Sequence, residues 1–583
     1  MSSLEAEVAN RFVCTEHEVH VIRCRGIYVS ECAAKYEATF GSIKVNENSD
    51  HVCDSCILRS KAFNNPKIKD SVLDDYLSEE DKIKAHKLVA EVTTTNWHDF
   101  EIERVPIGRI ASYEYLLKYK IREIRLPEEF FPEYKENLKS AILCLWALER
   151  AVDTIQPDRI LVGNHLYSLN HVARWVAKKK QVVSYGIHGS KRINVMHTSF
   201  FMSQEVDDIW MFYKNQKIID ASKFAIQAQA IHKVQKYYKN SLIQSQNYFG
   251  ARKMGLKRRT KVVSPGLVRE KLGIAKNEKI VLIATTSGDE LFAWHIAKNL
   301  AISTNQDGQL TWLEDVIRIA KLRKELNFVI RIHPREFSEM HREGGSDNSK
   351  LMAQLLNEVP DNIFVNWPSQ GIGLYDLMQI ASAVLVGRSS VAAEALMMGI
   401  PVVCHDAEEL IAFPPHLTIN PHHFENYDSA LDHALTRGLN VDNLVEYFRI
   451  RAMFITTVQG QFRDNTLNRS FFSFNQILRY LERTQKFAVP SGAVSFFSKY
   501  FYVSKKVFKS DQSRITDIVT NGKRSLQDSD LVREDELEAS DLPRIRDAVL
   551  CFSKNFKRSE SSWRDEITEA FQNHSADSEV TLC

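Results

Sequence analysis

Between Lys279 and Cys404 the chain repeats one alternation: a short apolar run, then a stretch with helical periodicity. The apolar runs are KIVLIATT, NFVIRI, NIFVN, AVLVG and IPVVC. Between the later ones lie SKLMAQLLNEV, IGLYDLMQIA and SVAAEALMMG, and TWLEDVIRIAKLRKEL precedes the second. In that helix Leu313, Val316, Ile317 and Ala320 share one face. A run that is apolar throughout has no face to offer water, so it must be covered on both sides. Helices alternating with such strands imply a parallel, doubly wound sheet over residues 263–440. Ligands of these sheets bind beyond the carboxyl ends of the strands.

The two sharpest motifs of this region fall at such ends. Arg331-Ile-His333-Pro334-Arg335-Glu336 terminates the second strand, because Pro334 cannot continue a central ladder. His333 at the sheet's open edge can donate to a phosphate oxygen, with Arg331 and Arg335 adding charge-assisted bonds. After AVLVG, the stretch GRSSVAAEALMMGIPVV opens a helix near Ser390. Arg388, Ser389 and Ser390 stand where a helix start would meet an anion. Glu394 lies one turn on, in a helix otherwise apolar, where a carboxylate needs partners such as ribose hydroxyls. The loop TTSGDE, with Ser287 and Gly288, follows the first strand and suits the approach of a diphosphate or sugar. Capping and ordinary turn chemistry are the competing readings of all three motifs.

The first half alternates less regularly. EYKENLKSAILCLWALERAV reads as a helix, PDRILVG as a strand, NHLYSLNHVARWVAKKK as a loop entering a helix, and QVVSYGIHGS as a strand entering a Gly-containing loop. Asn164, Tyr167 and Asn170 suit sugar hydroxyls and ring faces, and His165 and His188 are candidate bases for an acceptor hydroxyl. The cysteines Cys24, Cys32, Cys53 and Cys56 include a CxxC half-site. They fit a structural zinc or an iron–sulfur cluster, or packed free thiols.

The chain of 583 residues is too long for one ordinary core. Its boundaries are drawn as a cysteine-bearing head (1–66), an α/β domain with a helical linker (67–262) that the resemblance below makes the acceptor side, a doubly wound domain (263–440) that it makes the nucleotide-sugar side, crossing helices (441–488), and a segment 489–583 that is first amphipathic and basic, then largely disordered. A formal net charge of +2 supplies no field for nucleic acid. The sequence has no apolar stretch of about 18 residues and no apolar segment near its start, so a cytoplasmic protein is expected. Residues 491–510 mix Phe and Tyr with Lys and suit peripheral contact with a membrane.

FVIRIHPRE followed by NIFVNWPSQGIGLYDLMQIASAVLVGRSSVAAEALMMGIPVV resembles the donor domain of the capsule-polysaccharide glycosyltransferases of GT-B fold. That family is related to the Kdo transferases and the sialyltransferases with a His-Pro motif. The resemblance covers about residues 279–410 and is looser over 140–200. It implies two Rossmann-like doubly wound domains facing across a cleft. It implies a nucleotide sugar as donor, a glycan or lipid-linked glycan as acceptor, and no required metal cofactor. It places donor phosphate on His333, Pro334, Ser389 and Ser390, and ribose on Glu394. Many retaining members carry a second glutamate where this chain has Val386, so inversion is expected. A nucleotide-sugar 2-epimerase and a non-catalytic scaffold of an envelope-glycan assembly are the alternatives.

Overall fold

The computed structural model describes residues within 8–27, 66–194, 197–204, 219–220, 226–235, 264–298, 308–336, 347–405, 415–454, 460–463, 517–522, 541–553 and 568–573, apart from some single and paired positions, and Cys53. In chain order the strands and helices are β1 (His20–Arg23), β2 (Lys69–Val72), α1 (Glu79–Ala90), α2 (Ile107–Tyr119), α3 (Phe131–Ile155), β3 (Arg159–Gly163), α4 (Ser168–Lys179), β4 (Val183–Asn194), β5 (His197–Ser203) and α5 (Pro265–Leu272). Then come β6 (Lys279–Ala284), α6 (Gly288–Ala297), α7 (Gly308–Leu322), β7 (Leu326–Arg331), α8 (Asp347–Leu355), β8 (Ile363–Asn366), α9 (Leu374–Met378), β9 (Ala383–Val386) and α10 (Val391–Met397). The last are β10 (Val402–Cys404), α11 (Tyr427–Arg437), α12 (Val441–Met453), β11 (Gly460–Arg463) and α13 (Leu542–Ser553).

The chain forms two compact units, each assembled from separated segments. Unit 2 comprises 207–288, 304–459 and 530–583. Its sheet is five-stranded, ordered β10-β9-β6-β7-β8, and every pairing is parallel. Read by position in the chain, this is the doubly wound 3-2-1-4-5 order. The strands are the apolar runs picked out in the sequence: Ile280 to Ala284, Phe328 to Ile330 and Ala383 to Val386 are all buried. α7 covers one face with Trp312, Leu313, Val316, Ile317 and Ala320, which join the strand residues in a single core. α10 ends in a Schellman arrangement. Gly399, at φ 68°, donates its N–H to Leu396, and Ile400 donates to Ala395.

Unit 1 comprises 1–206, 289–303 and 460–529. The sheet there is four-stranded, ordered β11-β5-β4-β3. Only β3 and β4 pair in parallel, joined through α4; β4–β5 and β5–β11 are antiparallel. The main core of this unit is helical. α2 and α3 bury Tyr115, Leu116, Tyr134, Leu138 and Ala141 beside Trp97, and α6 adds Phe292, Ala293, Ile296 and Ala297. A pair of parallel strands, β1 and β2, brings the head onto this unit.

Two boundaries need correction. The sequence suggested contiguous domains, but α6 belongs to unit 1 although it lies between β6 and α7 of unit 2. Its four apolar side chains find their burial in the helical core of unit 1. The segment 489–583 is also not uniformly loose. Val519 is buried with Val8, Phe12, Tyr185, Ile187 and Met202, and its carbonyl accepts from Arg159 Nε at 3.0 Å. Farther on, Asp541 is 1% exposed and accepts from Arg449 Nε (2.9 Å), Arg449 Nη2 (2.7 Å) and the Ile226 N–H (2.9 Å). α13 follows it and buries Ile545, Ala548 and Val549. Low branched-apolar content concealed a few well-spaced anchors. Residues 491–510 lie outside the described residues.

Candidate functional site at the carboxyl ends of the unit 2 strands

The ladder registers bring three strand ends level. Ala284 is opposite both Arg331 and Val386, and Arg331 is opposite Asn366. The loops after β6, β7 and β9 therefore emerge side by side. β6 is the middle strand of the three, so β7 and β9 stand two strand spacings apart, ~10 Å. The strand order reverses between β6 and β9, which is the switch point where ligands of such sheets bind.

Thr285 ties two of these loops together. It is 2% exposed, its Oγ donates to the Arg331 carbonyl at 3.2 Å, and the same oxygen accepts the His333 N–H at 2.8 Å. His333 thus leaves the sheet on a backbone held to the neighbouring strand, with a half-buried side chain. Its carbonyl accepts the Glu336 N–H at 3.0 Å, which closes a turn. One residue past Thr285, the Thr286 N–H donates to Gln309 Oε1 at 2.7 Å. Sequence reading passed over Thr285 and Gln309, since threonine and glutamine in a loop give no pattern of their own.

Arg331 requires a correction. Its Nη1 donates to Asn366 Oδ1 (2.5 Å) and to the Ile372 carbonyl (2.9 Å). Loss of hydration lowers its pKa to about 10, partly offset by the charge of Asp376. The guanidinium therefore buttresses the ends of β7 and β8, and its hydrogen bonds go to protein. Pro334, Arg335, Ser287 and Arg388 lie outside the described residues, as does the side chain of Gly288's loop neighbour Asp289.

On the other side of β6, Val386 is the last residue of β9 and is fully buried. Ser389 is 7% exposed, and its Oγ accepts the Val391 N–H at 3.3 Å. Ser390 is the exposed N-cap of α10. α10 has only seven residues, so its dipole adds less than that of a long helix. Glu394 is half-buried in its first turn. The β10 end adds an aromatic group: His405 stacks on Trp312 (6.3 Å, 25°), and Trp312 Nε1 donates to the Tyr427 hydroxyl at 3.0 Å.

No protein-family model matches this sequence, and no curated protein is similar to it. Solved structures of low similarity exist. One is KpsC of Thermosulfurimonas dismutans, a beta Kdo 2,4 transferase, at 11% identity and a TM-score of 0.28, covering 50% of this chain and 78% of that one. Another is MnaA of S. aureus with UDP, at 10% identity and a TM-score of 0.23, covering 74% and 90%. UDP-GlcNAc 2-epimerase of Neisseria meningitidis bound to UDP-GlcNAc is similar at 12% identity and a TM-score of 0.21, covering 75% and 94%. Likenesses at this level leave the chemistry to be argued from the chain's own residues.

Unit 1 holds the other sequence candidates. Tyr167 is 40% exposed and packs edge-on against Tyr113. Asn170 turns its amide to the Gly163 carbonyl, pinning the loop after β3. Asn164 and His165 lie outside the described residues. His188 was expected in a loop, but β4 runs on to Asn194 and pairs His188 with Phe201 of β5. The antiparallel partner keeps the strand going past the point where β3 stops at Gly163. His188 therefore stands one residue beyond the β3 ladder, on its carboxyl side; its side chain is outside the described set.

A carboxyl group missed in the sequence lies at the same end of β3. Glu114 of α2 accepts the Ser168 N–H at 2.8 Å and the Ser168 hydroxyl, at the start of α4. Burial raises its pKa to about 7, although both bonds from Ser168 pull the other way.

Cys24 and Cys53 are half-buried and form no disulfide, and Cys53 Sγ lies 3.4 Å from where a Cβ on Gly26 would stand. The fold thus returns Cys53 to the turn after β1. Among the described residues no group of three or more His, Cys, Asp or Glu side chains is placed to hold a metal ion. Cys32 and Cys56 lie outside them. Among the described residues, no helix is long and apolar enough to cross a membrane.

Proposed function

We propose that the chain is a nucleotide-sugar enzyme of GT-B type that transfers a sugar from its activated donor to a glycan acceptor. The observation that carries this reading is the strand order of unit 2. Its reversal between β6 and β9 sets the loops 285–288 and 387–390 side by side, with His333 one strand farther along. A diphosphate lying across the end of β6 reaches both flanking loops, which a single phosphate would strain to do across ~10 Å.

In this reading the glycosidic bond to the leaving phosphate breaks and negative charge grows on its oxygens. The His333 imidazole and the backbone amides of Ser389 and Ser390 meet that charge, with the His333 backbone held beforehand by Thr285 and the start of α10 by the Ser389 hydroxyl. Glu394 takes the ribose hydroxyls. The Arg331 guanidinium holds the platform, and the cationic contact to phosphate falls to Arg335 or Arg388. The acceptor hydroxyl loses its proton to a base, for which His165 and His188 are the candidates. The buried Val386 leaves that position without a second carboxylate, in keeping with inversion.

Donor epimerisation at C2 requires the same hold on the nucleotide and is the competing reading. Incubating the full chain with UDP-, GDP-, CMP- and CDP-sugars, with and without glycan acceptors, separates them. Glycosylated acceptor supports transfer, an epimerised free donor supports the alternative, and no turnover favours a scaffold. His333→Ala should raise the barrier by about 2–4 kcal/mol with folding intact, as for loss of one oxyanion donor. An unchanged rate would remove His333 from the chemistry.

A further inference from the structure

Gln309 brings a buried hydrogen-bond donor to the carboxyl end of the unit 2 sheet. It is the second residue of α7 and is half-buried. Its Oε1 accepts the Thr286 N–H at 2.7 Å, from the loop after β6. A backbone N–H needs an acceptor, so this contact decides which end of the amide is oxygen and which is nitrogen. Nε2 hangs from the same amide carbon and so stands beside that loop. It is buried, and among the described residues no group accepts from it.

The first turn of α7 also reaches the loop after β9. Trp312 is three residues beyond Gln309 and so shares its side of the helix. Its ring lies 3.9 Å from where a Cβ on Gly387, the residue after β9, would stand. α7 therefore starts at the two loops that flank the reversal of strand order, with Gln309 at one and Trp312 at the other. Buried donors without partners are rare in folded proteins, and a water or a ligand atom is the usual explanation. Two observations favour a ligand. The half of the side chain left over is the donor, as an anion requires, while the acceptor half is used by the protein. It also lies at the strand ends where ligands of doubly wound sheets bind.

We propose that Gln309 binds the activated donor: its Nε2–H donates to a phosphate oxygen of the nucleotide, while its Oε1 holds the loop after β6 in place to receive that phosphate. This contact rests on the nucleotide-sugar reading above and extends it to a residue of α7. Being neutral, the amide contributes direction to the hold on phosphate without adding charge.

The test is isothermal titration calorimetry of the full chain with UDP, GDP, CDP and CMP. Gln309→Glu keeps an oxygen for the Thr286 N–H and turns the donor into a second acceptor. At pH 8 it should bind the tightest of these nucleotides about tenfold more weakly than wild type. At pH 5 the introduced carboxyl takes up a proton and donates again, so the ratio to wild type should shrink. Circular dichroism shows whether the variant folds; if it does not, Gln309→Met decides, with several-fold weaker binding expected and unchanged affinity counting against the contact. Equal affinity of wild type and Gln309→Glu at pH 8, or a loss of the same size at both pH values, would overturn the proposal and leave water as the partner of Nε2, while nucleotide binding by wild type would keep the wider reading in place. No saturable binding of any of the four to wild type would overturn that wider reading and this contact with it.

Discussion

Glu114 is a carboxyl group placed where its charge is unfavourable, and Glu114→Gln should make that cost measurable. An unfolded chain ionises such a group near 4.5, whereas the folded chain holds the proton until about 7, because burial outweighs the bonds from Ser168. The sign follows directly. Between those values unfolding releases a proton, so stability falls as pH rises. The stabilising contribution of the protonated group is complete below pH 4.5 and is lost as pH climbs through 7. A tenfold change in proton affinity is worth ~1.36 kcal/mol, so the full interval corresponds to about 3 kcal/mol. Glutamine reproduces the neutral acid. Its oxygen can accept the Ser168 N–H, and its amide can donate to Ser168 Oγ, which still has the Ile110 carbonyl at 3.1 Å. Urea unfolding at pH 5, 6.5 and 8 provides the assay. Wild type and variant should be nearly equal at pH 5, and the variant should be more stable by about 3 kcal/mol at pH 8. Stability curves that run parallel from pH 5 to pH 8 would refute the reasoning, since the carboxyl would then titrate alike in both states.

Thr285→Val keeps the shape of the β6 end but strands the His333 N–H; a loss of about 1–3 kcal/mol in stability is expected, with weaker nucleotide binding by calorimetry. Asp541→Ala removes the buried carboxylate that accepts from two Arg449 nitrogens and from the Ile226 N–H and should cost about 3–5 kcal/mol in chemical denaturation, part of it recovered when Arg449→Met is added. An additive double variant would show that the pair is not coupled. Gly399→Ala forces a side chain into a backbone at φ 68° and should cost about 1 kcal/mol in thermal unfolding, with the unit 2 sheet retained.

Much of unit 2 is legible in the sequence. Its strands are apolar on both faces, so each run had to be a buried strand whatever its neighbours, and Leu313, Val316, Ile317 and Ala320 repeat at helical spacing along one side of α7. Gly399 marked the end of α10 for a local reason, its left-handed backbone. These signals survive in the sequence because each depends on residues within a few positions.

The role of Arg331 was not legible, because whether a guanidinium faces a ligand or a carbonyl depends on what stands on the next strand: here Asn366 and the Ile372 carbonyl. The same holds for His188, kept in a ladder by β5, and for Asp541, whose partner Arg449 is ninety-two positions away. Composition made the last segment look unstructured, since it averages over residues and cannot see that Val519 and Ile545 each find a core. By itself the chain determined where strands and helices form and which loops stand at strand ends, for those follow from side-chain periodicity and backbone restriction. Only the tertiary structure decided the order of the strands, and with it which loops become neighbours and which polar groups are already taken, because pairing and burial are settled between residues far apart in the chain.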